Sequence, residues 1–237
     1  MQQQDIVTPQ PVESEVIIET RSLSRVYPGV VALDNVNYRV YRNKVNVLIG
    51  ENGAGKSTMM KMLAGVETPS SGEIFLDGTP VSMNSTHQAE KLGISIIFQE
   101  LNLFPNMNVM DNIFMANEFF QKGKINEKYQ YALAQSLLKR LELDVDPYTP
   151  LEELGIGHQQ LVEIARALSK DTRVLIMDEP TSALSQSEVK ILFNVIEQLK
   201  RRGVTIIYIS HRLEELMEIG DYITIFRDGR FISERPV

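Results

Sequence analysis

The chain has 237 residues, 43% hydrophobic and 23% charged, a composition that supports a sizeable globular core. Its 24 Lys and Arg against 31 Asp and Glu give a net charge of -7 and a pI near 5.1, which argues against nonspecific nucleic-acid binding. There is no Cys, so disulfides, thiolate metal sites and a cysteine nucleophile are excluded.

In chain order, residues 1–15 read as a polar lead-in without the basic and apolar regions of a secretory signal. Residues 16–18 predict a strand. Residues 45–49 predict an apolar strand that runs directly into Gly50. Residues 56–63 contain no breaker and predict a helix ended at Ala64-Gly65. Pro69-Ser70-Ser71-Gly72 marks a turn, and 73–76 before Asp77-Gly78 marks a hairpin edge. Residues 94–98 are another β-rich run. From 108 to 141 the pattern is helical, with Leu133, Leu137 and Leu141 on one stripe. Asp146-Pro147 and Thr149-Pro150 then break the chain. Leu161, Ile164, Ala165 and Leu168 mark an amphipathic helix, 174–177 a strand, and Val189 through Leu199 a long helix with basic residues at its C-terminal end. Residues 204–209 predict a strand, and 223–226 with Asp228-Gly229 a final hairpin. No apolar run approaches the roughly 18 residues of a membrane span. Alternating strands and helices predict an α/β fold with a parallel sheet. One domain over 16–237, with an inserted helical lobe over about 100–168, is the simplest organisation.

Two motifs carry chemistry. Gly50-Glu51-Asn52-Gly53-Ala54-Gly55-Lys56-Ser57 fits G-x-x-x-x-G-K-[ST] between a predicted strand and a predicted helix. Glycines let backbone N–H groups curl around an anion, and the helix N-terminus adds positive potential. Lys56 is positioned to reach β- and γ-phosphates, and the Ser57 hydroxyl to hold Mg²⁺. Thr58 completes this candidate nucleotide-binding run. The strand at 174–177 ends in Asp178-Glu179. Beside a phosphate loop, Asp178 holds Mg²⁺ and Glu179 orients an attacking water.

With these motifs in order, the chain resembles the ATP-binding subunits of ABC transporters over nearly its whole length. The resemblance implies an α/β P-loop NTPase with a mostly parallel core sheet, an antiparallel β edge and an inserted α-helical subdomain. It implies ATP and Mg²⁺ as cofactors. Tyr27 sits where the family stacks an aromatic residue on adenine. Gln99 matches the glutamine that senses Mg²⁺ and the attacking water. Leu154-Gly155-Ile156-Gly157-His158 aligns with the LSGGQ signature, and Thr181-Ser182-Ala183-Leu184-Ser185 with the D-loop. His211 matches the switch histidine that contacts the γ-phosphate. Glu179, His211 and Gln99 are thus the candidate catalytic residues. Gly155 and Gly157 join the nucleotide-binding set, and Ser57, Gln99 and Asp178 form the metal set.

A narrower resemblance, to the ribose, galactose and methyl-galactoside importer ATPases, rests on five segments. They are Gln99-Glu100-Leu101-Asn102-Leu103-Phe104-Pro105 followed by Val109-Met110-Asp111-Asn112-Ile113-Phe114, then His158-Gln159-Gln160-Leu161-Val162-Glu163-Ile164-Ala165-Arg166-Ala167-Leu168, Leu175-Ile176-Met177-Asp178-Glu179-Pro180-Thr181-Ser182-Ala183-Leu184 and Ile207-Tyr208-Ile209-Ser210-His211-Arg212-Leu213-Glu214-Glu215. It implies membrane permease subunits, an extracytoplasmic sugar-binding protein and a second nucleotide-binding half as partners. It also implies a peripheral location at the cytoplasmic face of the inner membrane. The sequence departs from the pattern at Gly155, where the signature has Ser, at His158, where it has Gln, and at Ser185, where many relatives have Asp. The resembled importers usually carry two nucleotide-binding halves, whereas this chain has one phosphate loop. A piece of a tandem protein, a natural truncation and a homodimerising subunit all stay open. Competing functions are an ATP-binding regulatory half and a soluble ABC protein of translation or DNA repair. The second conflicts with the absence of a basic arm and of sustained heptads between Lys56 and Asp178.

Overall fold

The computed structural model describes residues 15–121 and 123–237. The lead-in expected over 1–15 therefore lies outside the described residues, apart from Glu15. The chain enters through β1 (Val16–Tyr27), β2 (Val30–Val36), β3 (Arg39–Tyr41) and β4 (Val45–Ile49), then α1 (Lys56–Leu63). Next come β5 (Ser71–Leu76), β6 (Thr79–Val81), α2 (Thr86–Lys91) and β7 (Ile94–Ile97). The middle holds α3 (Val109–Phe114), a small hairpin of β8 (Phe120–Gln121) and β9 (Lys124–Ile125), α4 (Glu127–Arg140) and α5 (Ile156–Leu168). The last part is β10 (Val174–Asp178), α6 (Gln186–Arg201), β11 (Thr205–Ile209), α7 (Leu213–Ile219), β12 (Tyr222–Arg227) and β13 (Arg230–Pro236).

The core sheet has the order β13-β12-β4-β11-β10-β7. All neighbours are parallel except β12 and β13, which form the final antiparallel hairpin. Its central strands are apolar because both faces are covered. The alternation assigns each residue to a face. Val45, Val47, Leu175, Met177, Ile206 and Tyr208 pack with α3, α4, α5 and α6. Leu48, Val174, Ile176, Ile207 and Ile209 pack with α1 and the antiparallel layer. In that layer β1 pairs antiparallel with β2, β3 and β5, and β6 pairs with β5. Asn46 is the polar exception in β4. Its carboxamide is buried but satisfied, accepting from Tyr41 N–H at 2.7 Å and donating to Tyr41 and Ile206 carbonyls. Burying each large aliphatic side chain here contributes about 1.5–3 kcal/mol.

The parallel sheet, antiparallel edge and helical lobe follow the sequence expectation. The helix expected across 108–141 does not run unbroken. It stops at Phe114, the chain turns through Ala116 at φ 59°, and the β8–β9 hairpin intervenes before α4. Asn108 and Asn126 cap the two separate helices by accepting from Asp111 N–H and Tyr129 N–H. Leu137 and Leu141 are buried, while Leu133 is only partly so. The strand expected at 16–18 extends to Tyr27. The hairpin expected at 73–76 and Asp77-Gly78 is the antiparallel β5–β6 pair, whereas strands β2 and β3 and helices α2 and α7 carried no sequence signal strong enough to predict.

Candidate functional site

Register brings the polar motifs to one edge. In the parallel sheet Asp178 pairs with Ile209, Ile209 with Leu48, and Met177 with Ile97. The next residues of each strand therefore leave the same C-terminal edge: Gly50 after β4, Glu179 after β10, Ser210-His211 after β11 and Phe98-Gln99 after β7. This edge is where open α/β sheets hold ligands.

The loop from Gly50 to Gly55 is shaped by contacts that admit no side chain. A Cβ on Gly50 would lie 2.4 Å from the Phe226 carbonyl oxygen. Gly55 has φ 95°, and a Cβ there would meet Ala32 and Leu33. Within the loop Ala54 N–H donates to Glu51 O at 3.1 Å, and Met59 N–H begins the helix by donating to Gly55 O. Among the described residues, no acceptor pairs with the backbone N–H of Gly53, Gly55, Lys56, Ser57 or Thr58. Lys56 is buried, and its Nζ donates to Gly50 O at 2.6 Å and Glu51 O at 3.0 Å, so its charge spans the loop mouth. Five unpaired N–H groups, one ammonium and a helix N-terminus make a cradle whose chemistry fits a polyphosphate.

Asp178 and Glu179 close the other side. Burial pushes the Asp178 carboxyl above its ordinary value, and neighbouring Glu179 adds to this. A hydrogen bond with Ser57 and the Lys56 charge pull it back down. This hydroxyl and carboxylate pair fits a divalent cation that also holds phosphate oxygens. Among the described residues no cluster of three or more His, Asp and Glu side chains could hold a metal by itself. Glu179 has φ 49°, in the left-handed region disfavoured for side chains of its kind, and its N–H is fixed to Ile209 O at 3.0 Å. His211 Nδ1 lies 3.3 Å from Glu179 Oε1. His211 is well exposed and Glu179 is not, so the pair has one open side.

The other expected residues lie apart. Tyr27 ends β1, its hydroxyl donates to Glu67, and Arg25 stands 4.8 Å above its ring. Glu67 lies 3.9 Å from Lys61 of α1, so Tyr27 borders the phosphate loop's helix through this network. Gln99 is exposed just past β7. Gly155 is the N-cap of α5 and provides no side-chain cap. Gly157 N–H donates to Glu188 Oε1 at 3.1 Å. Among the described residues, no hydrogen bond or ion pair joins Gly155 or Gly157 to the phosphate loop. Glu188 also makes a capping box with Ser185 at the start of α6. Sequence reading missed Glu188, Glu67 and Glu215. For Glu188 a signal existed, since Ser185-x-x-Glu188 before an apolar-periodic helix is a capping-box pattern. Glu67 acts through Tyr27, far away in sequence, and left no local mark. Glu215 lies within the 207–215 run beside most of its donors, but its link to Thr181 is made only by the fold.

A family model described as ABC transporter matches residues 33–182. The chain belongs to the ABC transporter family. This ABC chain is 51% identical over 92% of its length to the xylose import ATP-binding protein XylG of Thermoanaerobacter pseudethanolicus, covering 44% of that protein. It is 46% identical over 92% of its length to the ribose import ATP-binding protein RbsA 1 of Rubrobacter xylanophilus, again covering 44%. A galactose/methyl galactoside import ATP-binding protein, MglA of Clostridium perfringens, is 44% identical, with 93% of this chain and 43% of that protein covered. The chain thus spans under half the length of the curated relatives it matches. A solved nucleotide-free ATP-binding cassette from an ABC transporter superposes with a TM-score of 0.81 at 25% identity, covering 93% of this chain and 91% of that one. CbiO1 of Clostridium perfringens, part of the cbiONQ transporter complex, gives 0.81 at 28% identity, covering 94% and 89%.

Proposed function

We propose that the chain is an ATP-hydrolysing subunit of an ABC importer, driving uptake of a monosaccharide of the ribose, xylose or galactose kind through a membrane permease. One observation carries the reading. The cradle of unpaired N–H groups with Lys56 and the Asp178, Glu179 and His211 side chains leave the same sheet edge. The relatives named for import of such sugars supply the substrate class.

In this reading the loop N–H groups and Lys56 hold the β- and γ-phosphates of ATP. Ser57, Asp178 and Gln99 would hold Mg²⁺. When bound, Mg²⁺ neutralises charge on the phosphate oxygens. Glu179 accepts a hydrogen bond from the attacking water and orients it in line with the γ-phosphate. His211 fixes the Glu179 carboxylate and donates toward the γ-phosphate. Tyr27 offers its ring to adenine once Arg25 moves aside. Two halves pack head to tail, so that Gly155, Gly157 and the α5 N-terminus of one meet the nucleotide of the other. Closure excludes water, and hydrolysis reopens the pair. The helical lobe grips the permease's cytoplasmic loops at the cytoplasmic face of the inner membrane. An extracytoplasmic sugar-binding protein delivers the sugar to the permease. Among the described residues, no helix is long and apolar enough to cross a membrane.

Gly155 favours a second reading, a half that binds ATP but hydrolyses it only beside a complete second cassette. Light scattering of Glu179→Gln protein with and without ATP and Mg²⁺ separates the two. An ATP-dependent dimer supports a self-sufficient cassette. A monomer that binds ATP supports the second reading, and a protein that binds no ATP refutes both.

A further inference from the structure

Behind the Glu179 and His211 pair lies a carboxylate that the proposed chemistry does not use. Glu215, in the first turn of α7, is 6% exposed. Its Oε2 accepts three hydroxyl hydrogen bonds, from Thr181 at 2.9 Å, Tyr208 at 3.0 Å and Ser210 at 2.9 Å. Its Oε1 accepts from the Arg212 guanidinium at 3.2 Å. The Ser210 hydroxyl in turn accepts from Arg212 N–H at 3.1 Å.

These donors come from two separate segments. Thr181 stands two residues beyond Glu179. Tyr208 ends in β11, and Ser210 and Arg212 flank His211 on either side. Burial and the nearby carboxylate push the Tyr208 phenol far above its ordinary value, so it stays protonated and donates. A buried charge used only to fill space is no better than an apolar side chain of similar volume. Four donors gathered on one carboxylate constrain positions instead, and here they constrain the backbone on both sides of the 3.3 Å contact between His211 and Glu179.

We infer that Glu215 is a positioning residue for hydrolysis, a buried clamp that holds the His211 loop in register with the segment following Glu179. The inference rests on the proposed roles of Glu179 and His211. It adds that segment 181–185 and the His211 loop shift as one unit, because a movement of Thr181 is transmitted through Glu215 to Ser210 and Arg212.

The test combines kinetics with a readout that needs no turnover. Glu215→Gln keeps the shape but removes the charge on which the donors converge. Its kcat for ATP is expected to fall at least about tenfold with KM changed less than about threefold. In a His211→Ala background the same substitution is expected to cost less than about twofold, since a residue that acts through His211 has nothing left to position. The chain has three His, so the His211 imidazole signal can be assigned in NMR spectra by substitution, and it is expected to shift or broaden in Glu215→Gln. Ser210→Ala removes one donor and serves if Glu215→Gln does not fold, with about a three- to tenfold loss of kcat expected. An unmoved His211 signal in folded variants, or a full and additive loss in the His211→Ala background, overturns the inference. If the wild-type protein binds no ATP, the proposed function falls; if it binds ATP without hydrolysing it, the second reading holds; in both cases the His211 signal still decides the clamp.

Discussion

Gly155 offers a substitution whose structural and functional consequences separate cleanly. It is the N-cap of α5 with φ -63° and ψ 158°, an ordinary extended conformation, and a Cβ added there meets no heavy atom within 4 Å. Gly155→Ser is therefore accommodated without strain. Serine at an N-cap is better than glycine by only a few tenths of a kcal/mol. In a chain of this size that raises Tm by about 1 °C. The effect on pairing is larger if the α5 N-terminus meets the nucleotide of a second half. A hydroxyl bonding a charged phosphate is worth about 1.5–3 kcal/mol, or about 10–100-fold. In a Glu179→Gln background, the ATP concentration that half-converts monomer to dimer in light scattering should fall by that factor. An unchanged half-point in a protein whose Tm has risen by about 1 °C refutes the phosphate-seat argument. A Tm lowered by several degrees refutes the reading of Gly155 as an open, unstrained cap.

Other perturbations test the frame around the site. Ser185→Ala removes the α6 capping box and should cost about 1 kcal/mol in denaturant unfolding. Hydrogen bonds from the Ser185 hydroxyl and N–H hold the Glu188 carboxyl below its usual 4.5. A depressed carboxyl contributes stability above its unfolded value and loses it as pH falls through its folded value. The stability difference between wild type and Glu188→Gln should therefore be constant above about pH 5 and shrink as pH drops below 4.5. Gly50→Ala drives a Cβ to 2.4 Å from the Phe226 carbonyl oxygen and 2.9 Å from Ala54 Cβ, and should cost about 3 kcal/mol or more by calorimetry. Gly53→Ala has open space around it and only its φ of 82° against it, so about 1–2 kcal/mol is expected.

The parts legible in the sequence were those encoded by short, contiguous patterns. Apolar β4 running into Gly50, and β10 running into Asp178-Glu179, identified the sheet edge because each strand carries its own chemistry at its end. His211 was legible only through the order of the whole motif set, since an isolated histidine has no signature. The helical lobe was misread between Phe114 and Glu127, where Ala116 adopts a positive φ without the glycine that advertises it. The antiparallel edge is implied by the family resemblance, but β2 and β3 are not legible one by one, because β3 has only three residues and exposed Val30 and Val31 deny β2 a clean alternation. Glu215 and the Tyr27–Glu67–Arg25 group were illegible for a different reason. Their meaning lies in partners up to about 40 residues away, which only the folded chain assembles.

The central claim is that the Gly50–Ser57 cradle holds the phosphates of ATP. Calorimetric titration of ATP and Mg²⁺ into the wild-type chain and into folded Lys56→Ala protein tests it most directly. Lys56 brings the ammonium at the loop mouth, and a charge-assisted bond to phosphate is worth about 1.5–3 kcal/mol. The account predicts binding by the wild type that weakens at least about tenfold in Lys56→Ala. Equal affinity in the two proteins, or no binding by the wild type, contradicts it.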